Sequence, residues 1–429
     1  MSLIPRLWAG LYACLLLCTA TPAMAQDSHS IPKLDRPATG LSRLIEDLLD
    51  NHPRVATARA AVDAARAGER AAGKPLFNPE LELDAETAET DSFSLGLSQT
   101  IDWADKRSAQ ASVARFERDA SEAQLEQLEQ SLTIEVLMAL SNAKSAQDLH
   151  QLAQRRLQIM DRFSELAERR RRAGDLGQVE LDLARLAAAQ ARFEQAQTAA
   201  SLIEAQQSVA AVIGESRSDL PVMTTALPAL ALDHSNLDSL LEKLPQLRVL
   251  RNRIAANRAM VQLHTRKRRP DPTFGFRGGR EESDTLLGIS ISVPLHVRND
   301  LQAEVEAANA ELIKVQQEGQ DTYRQAKARL KSTAERYRLM HSAWGHWEQT
   351  GQVSLEHQID LLQRIWQAGE IDTTDYLVQL KQTLDTRSSA LELRAQFWRA
   401  WFDWLAASGQ VDGWLNPKNI PSNIENNTQ

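Results

Sequence analysis

Apolar residues recur along most of this chain at gaps of three and four, the spacing of one face of a helix. From Arg107 to Ala173 the chain contains neither Gly nor Pro. At about 1.5 Å per residue this stretch predicts a helix of roughly 100 Å, far beyond ordinary globular length. Leu125, Leu128 and Leu132, and later Ile159, Phe163 and Leu166, mark a narrow seam of the coiled-coil kind. A returning helix shows Val179, Leu183, Leu186 and Phe193. Elsewhere the period falls to two. Leu81, Leu83 and Ala85 alternate with Glu82, Asp84 and Glu86. After a turn near Glu89–Ser92, Phe93, Leu95 and Leu97 alternate with Ser94, Gly96 and Ser98. A second hairpin starts with Phe274 and Phe276, turns near Gly278–Asp284, and returns through Leu287, Ile289, Ile291 and Val293. An apolar face opposite a small or charged one is the pattern of a half-buried strand.

The same order of elements occurs twice, at an offset of about 192 to 195 residues. Leu48–Pro53 meets Leu240–Pro245, Asn78-Pro79 meets Asp271-Pro272, and Leu95–Ser98 meets Leu287–Ser290. Ala173–Leu176 meets Ala368–Ile371, and Gly214 meets Gly409. The repeats are therefore read as residues 41–214 and 237–409. Residues 215–236 form a Pro- and Thr-bearing linker, 26–40 a polar lead-in, and 410–429 a tail; both ends are expected to be loose. Each repeat reads as helix, hairpin, very long helix, tight turn, long helix. In the second copy Gly319, Gly345 and Gly351 interrupt the long helix, where a kink or break is expected.

The first 25 residues have the layout of a secretory signal: Arg6, a short apolar run, and Ala23-Met24-Ala25 before the expected cut. The run is shorter than the roughly 18 residues of a membrane span. A lipid anchor on Cys14 or Cys18 is the alternative, but neither has a small-residue context. Both cysteines lie in this segment, so the exported chain carries no disulfide and no cysteine nucleophile, and must be stabilised by packing or oligomerisation. With 49 basic and 57 acidic residues, the balance argues against a nucleic-acid partner. The chain is rich in Ala, Leu, Gln, Glu and Arg, and is mainly α with a small β part. After the signal no apolar run is long enough for a membrane helix, so a membrane crossing would require a closed β-barrel.

Four strands cannot close a barrel, and open edges are not tolerated in lipid. Three copies would supply twelve strands, enough for a lumen, with the long helices continuing as a tube. Glu82, Asp84 and Glu86 would then face water inside the barrel, and the apolar faces would meet lipid. Taken alone, each hairpin also fits a soluble domain. The signal, the duplication and the missing cysteines favour the membrane. A soluble periplasmic coiled-coil scaffold or an adaptor is the competing class. No phosphate loop, nucleophile elbow or metal-ligand spacing indicates an enzyme or a cofactor. The nine histidines are scattered, and His341 and His346 are five apart, which does not align them on one helix face.

Asn78–Leu81, Leu97–Ile101 through Lys106-Arg107, Arg269–Pro272, Val293–Leu295, Arg298-Asn299 and the two Ala-Gly turns together resemble the TolC-like outer membrane factor family. They are most similar to its cobalt–zinc–cadmium cation-efflux branch. Asp102–Asp105 and His296-Val297 depart from the family pattern at the β-to-α joints. The resemblance implies a homotrimer: a twelve-stranded barrel in the outer membrane above a helical tunnel in the periplasm. It implies a passive exit duct for divalent metal cations, or for drugs and other small solutes. The partners would be a periplasmic membrane-fusion adaptor and an inner-membrane pump of the RND type. Gly174, Gly177 and Gly369 would shape the helical tips, and Leu176 and Ile371 would touch the adaptor. Asp175, Glu370, Asp372 and Asp375 would ring the periplasmic mouth of the pore, or simply cap helices.

Overall fold

The structure, a computed structural model, describes residues 39–87, 91–214, 228 and 237–415. The signal-like segment with Ala23 and Ala25, most of the lead-in, the linker apart from Pro228, and the tail beyond Leu415 lie outside the described residues. The first repeat consists of α1 (Thr39–Asn51), α2 (Pro53–Ala72), β1 (Glu80–Thr87), β2 (Asp91–Thr100), α3 (Lys106–Ala173) and α4 (Gln178–Ile213). The second consists of α5 (Leu237–Lys243), α6 (Pro245–Lys267), β3 (Thr273–Glu281), β4 (Asp284–Ser292), α7 (Gln302–His346), a π-helical turn (Trp347–Gly351), α8 (Gln352–Gln367) and α9 (Thr373–Ser408). A last short helix, α10 (Val411–Leu415), follows. The duplicated long hairpins and the four strands are as the sequence predicts.

Local chemistry explains several boundaries. The repeated Leu-Leu-acid-x-x-Pro junctions are helix starts, with Pro53 and Pro245 where a missing N–H costs nothing. At the first, His52 Nδ1 accepts from the Arg54 N–H at 3.1 Å. The Asp102 carboxylate accepts from the Lys106 and Arg107 N–H groups, each at 2.8 Å, capping the 68-residue α3. Of the expected interruptions in the second long helix, Gly319 makes none, since α7 runs through it unbroken. The break falls at the π-helical turn ending in Gly351, where an added Cβ would lie 2.3 Å from the Trp347 ring.

The second hairpin turn is shorter than predicted. β3 continues through Gly278, Gly279 and Glu281, and only Glu282 and Ser283 separate it from β4. Gly279 serves close strand approach: a Cβ there would lie 2.5 Å from the Phe93 carbonyl oxygen. The four strands form one antiparallel sheet in the order β1-β2-β3-β4.

α3 packs along α2, α4, α6 and α9. Leu132 and Phe163 of its predicted seam are buried. The predicted seam of α4 is corrected: Val179, Leu183, Leu186 and Phe193 are exposed, while Leu181, Ala184, Ala188 and Ala191 are buried. Small residues at intervals of three and four let α4 approach α3 closely, which leaves the bulkier stripe outside. The largest core joins α1, the middle of α3, α7, α9 and α10 around Tyr337, Phe397, Trp398, Trp401, Phe402 and Trp414. The Tyr337 hydroxyl donates to the Pro228 carbonyl, tying one linker residue to this core. The expectation of a loose tail from residue 410 is also corrected, because Val411, Trp414 and Leu415 are buried there. Their three apolar side chains outweigh the ordering of one short helix.

Candidate functional site: sheet faces and helical tips

The register of the sheet sorts its side chains into two faces. One carries the rows Leu81–Leu97–Phe276–Ile289 and Leu83–Leu95–Gly278–Leu287. The other carries Glu82–Gly96–Arg277–Gly288, Asp84–Ser94–Gly279–Leu286 and Glu80–Ser98–Gly275–Ser290. The apolar rows stand exposed, with Ile289 83% accessible and Leu287 74%. So much aliphatic and aromatic surface on one sheet face is what a non-aqueous neighbour covers. The opposite face is small and polar. Glu82 and Asp84 lie on it and share one cation: Arg277 approaches each at 3.4 Å. The Ser94 hydroxyl donates to Asp84 at 3.3 Å. Glu86 lies on the same face, nearer the hairpin turn, opposite Ser92. The sequence reading found the three acids but missed Arg277, which only the register brings beside them.

Strands β1 and β4 are both edges, with no strand partner beyond them among the described residues. Unpaired edge groups in an apolar setting cost several kcal/mol each. The sheet is therefore incomplete as an isolated unit in lipid.

At the far ends of the long helices two turns are built alike. Gly174 sits at φ 87° and Gly369 at φ 78°. At the first, the Gly174 N–H donates to Arg171 O at 3.1 Å and the Asp175 N–H to Arg170 O at 2.9 Å. At the second, Gly369 donates to Trp366 O at 3.1 Å and Glu370 to Ile365 O at 3.0 Å. This is the paired closure that a left-handed glycine allows at a helix end. Gly177 has a different role: it is the N-cap of α4 at φ −72°, and its N–H donates to Glu180 Oε2 at 2.7 Å.

The tips are held together by an aromatic triad that the sequence reading did not assemble. The Phe163 ring lies 4.8 Å from Trp366 and 5.3 Å from Tyr376, and Trp366 stacks on Tyr376 at 4.8 Å. Burial pushes the Tyr376 hydroxyl up to about 12. The Arg170 guanidinium lies over the Trp366 ring at 4.7 Å.

Leu176, expected to meet a partner, is only 6% exposed and packs into this tip core; that expectation is corrected. Its side chain turns inward because the two glycine turns bring α3, α4, α8 and α9 together beneath it. Ile371 is half-buried against the same core. Asp175, Glu370, Asp372 and Asp375 are all exposed. Asp372 is committed to capping, accepting from the Asp375 N–H at 2.7 Å, and Asp375 lies in the first turn of α9. The run Arg169–Arg172 stands beside Asp175, so the first tip is mixed in charge rather than acidic. His341 is exposed and lies against the Tyr337 and Phe397 rings, a surface packing position.

Comparison with known proteins agrees with this geometry. Residues 44–215, the first repeat, match the family described as outer membrane efflux protein. The cobalt-zinc-cadmium resistance protein CzcC of Cupriavidus metallidurans is 26% identical over 257 residues, covering 56% of this chain and 59% of that protein. This chain thus matches less than two thirds of the relative's length. Among solved structures, the outer-membrane channel OprN superposes with a TM-score of 0.73 at 19% identity, over 88% of this chain and 91% of that one. CusC, described in connection with transmembrane channel formation, superposes at 0.72 with 18% identity, over 86% and 92%. The fold is that of outer membrane efflux channels, and these relatives are channels rather than enzymes.

Proposed function

We propose that this chain, an outer membrane efflux channel by fold and family signature, closes with two further copies into a passive duct for divalent metal cations. The observation that carries the reading is the four-stranded sheet with both edges open and an exposed apolar face. Pairing β4 of one copy with β1 of the next leaves no open edge, and three copies give a twelve-stranded barrel. The exposed stripe on α4, Val179, Leu183, Leu186 and Phe193, supplies a further face for a neighbouring copy below the sheet. Glu82, Asp84 and Glu86 then line the water-filled lumen, where Arg277 offsets part of their charge. The helical section extends into the periplasm, and its tips around Gly174, Gly177, Gly369 and Ile371 dock on a membrane-fusion adaptor fed by an inner-membrane pump of the RND type. Asp175 and Glu370, whose backbone N–H groups close the helix ends while their carboxylates cap no helix among the described residues, are the acids available to the pore mouth; Asp372 and Asp375 belong to the start of α9. Metal cations are favoured as cargo by the likeness to CzcC.

Two measurements test this. The purified protein should run as a heat-modifiable trimer in detergent and sediment with outer membrane; a water-soluble monomer refutes the channel. Deleting the gene should lower tolerance to zinc, cobalt or cadmium. Lowered tolerance to a drug panel alone would keep the channel and overturn the metal assignment.

A further inference from the structure

The antiparallel topology places all four strand-to-helix joints at one end of the sheet: residues 73–79, 101–105, 268–272 and 293–301. Taken with the adjoining helix ends Lys106-Arg107 and Arg266-Lys267, this end holds eight basic and four acidic residues. That is an excess of four positive charges in a chain whose formal net charge is −8.

The acids are all committed. Asp102 caps α3, Asp105 pairs with Arg266, Asp271 with Lys106, and Asp300 with Arg268. Lys74, Arg107, Lys267, Arg269 and Arg298 are exposed, and none forms an ion pair among the described residues. Large apolar side chains stand exposed among them: Trp103 at 69%, Leu295 at 76% and Val297 at 85%. They follow the ends of β2 and β4 in the chain, just beyond the sheet. The hairpin-turn end is opposite in charge, with Glu86, Asp91, Glu281, Glu282 and Asp284 against Arg280.

We propose that this basic and apolar collar binds anionic phospholipid headgroups at the inner edge of the bilayer. The inference rests on the membrane reading of the sheet. Where that apolar face ends, the surface meets the headgroup layer. A Trp with flanking aliphatic residues suits the boundary between acyl chains and headgroups. Unpaired Lys and Arg beside it attract phosphate of net negative charge, at a strength of roughly fivefold in affinity per basic residue near the surface. The helix cap of Asp102 and the ion pairs of Asp105, Asp271 and Asp300 hold the collar's backbone in place and leave the five free cations for lipid. The charge difference between the two ends also orients the sheet in the bilayer.

The test uses the full trimer refolded into phosphatidylcholine vesicles carrying a trace of spin-labelled lipid. The motionally restricted fraction of the label reports association with the protein. Labelled phosphatidylglycerol should associate at least about fivefold more strongly than labelled phosphatidylcholine. The preference should fall to within about twofold in the variant K74Q/R107Q/K267Q/R269Q/R298Q, and in wild type at ~0.5 M salt. No preference in wild type, or a preference untouched by both the substitutions and salt, overturns the collar. Should the variant fail to fold, the wild-type preference and its salt dependence decide alone. Millimolar inorganic phosphate should leave the preference unchanged; competition by it would point to a free-phosphate site and overturn the lipid assignment. Failure of wild type to enter phosphatidylcholine vesicles at all refutes the membrane reading itself, and is distinguishable from loss of lipid preference.

Discussion

Placing a charge on Ile289 and then on its neighbour Ser290 separates the two faces of the sheet within one strand. β4 spans nine residues, about 30 Å of extended chain, or roughly 23 Å of height at the tilt usual in barrels. Ile289 lies one residue from its middle, so in a bilayer it sits near the midplane, in a row with Leu81, Leu97 and Phe276. An arginine at the midplane of the lipid face costs about 2–4 kcal/mol per chain, or about 6–12 kcal/mol for a ring of three. Ser290 points to the opposite face, directly across from Gly275, so an arginine there keeps its charge in the polar row and meets only Arg277 on the diagonal, in a water-filled setting that screens the pair. That substitution is expected to stay within about 0.5 kcal/mol per chain. The assay is urea unfolding of protein reconstituted in vesicles, followed by the gel shift between folded and unfolded forms. Ile289→Arg should lower the midpoint sharply or prevent insertion, and Ser290→Arg should leave it nearly unchanged. Equal small effects would mean that Ile289 faces water, and the apolar face would lose its assignment to lipid.

Other substitutions probe the parts that position the sheet and tips. The Lys106–Asp271 pair is 2.8 Å long, with its side chains only 11% and 8% exposed; removing one partner should cost about 3–5 kcal/mol, and removing both far less. A double-mutant cycle of Lys106→Met and Asp271→Asn in urea checks the coupling. Gly174→Ala meets no atom within 4 Å, so its cost is the left-handed backbone alone, about 1 kcal/mol. Circular dichroism melts would detect it, and Gly177→Ala at negative φ should cost less. Trp414→Ala removes a buried ring from the largest core and should destabilise by about 3–5 kcal/mol in the same melts, although it lies in the stretch read as a loose tail. The Asp412 carboxyl is pushed up by lost hydration where α10 meets α3, and then by the nearby Glu126 charge. A raised carboxylate pKa means that the folded state binds the proton first. Stability therefore rises as pH falls through the folded value and levels off in the ordinary carboxylate range, near about 4. Asp412→Asn should raise the melting temperature at pH 8, with the gain vanishing toward pH 4. A gain independent of pH would refute the assignment.

Much of this protein is legible without coordinates because its information is periodic. An unbroken run from Arg107 to Ala173 determines a long helix, since nothing in it interrupts the backbone hydrogen bonds. Alternation at Leu81–Glu86 and Leu287–Ser292 determines strands and assigns each residue to a face. Duplication determines that both occur twice. The tertiary structure decided what depends on distance between segments. Which stripe of α4 is core was settled by how closely small residues let it approach α3, not by which residues are most hydrophobic. Leu176 turned inward and Trp366, Tyr376 and Phe163 met because two separate turns stack side by side. Arg277 reached Glu82 and Asp84 through strand register, across 195 and 193 positions of chain. The free cations of the joints became visible only once each nearby acid was seen to be engaged. A single chain encodes its local periods, but pairing, burial and residual charge arise only where distant segments share space.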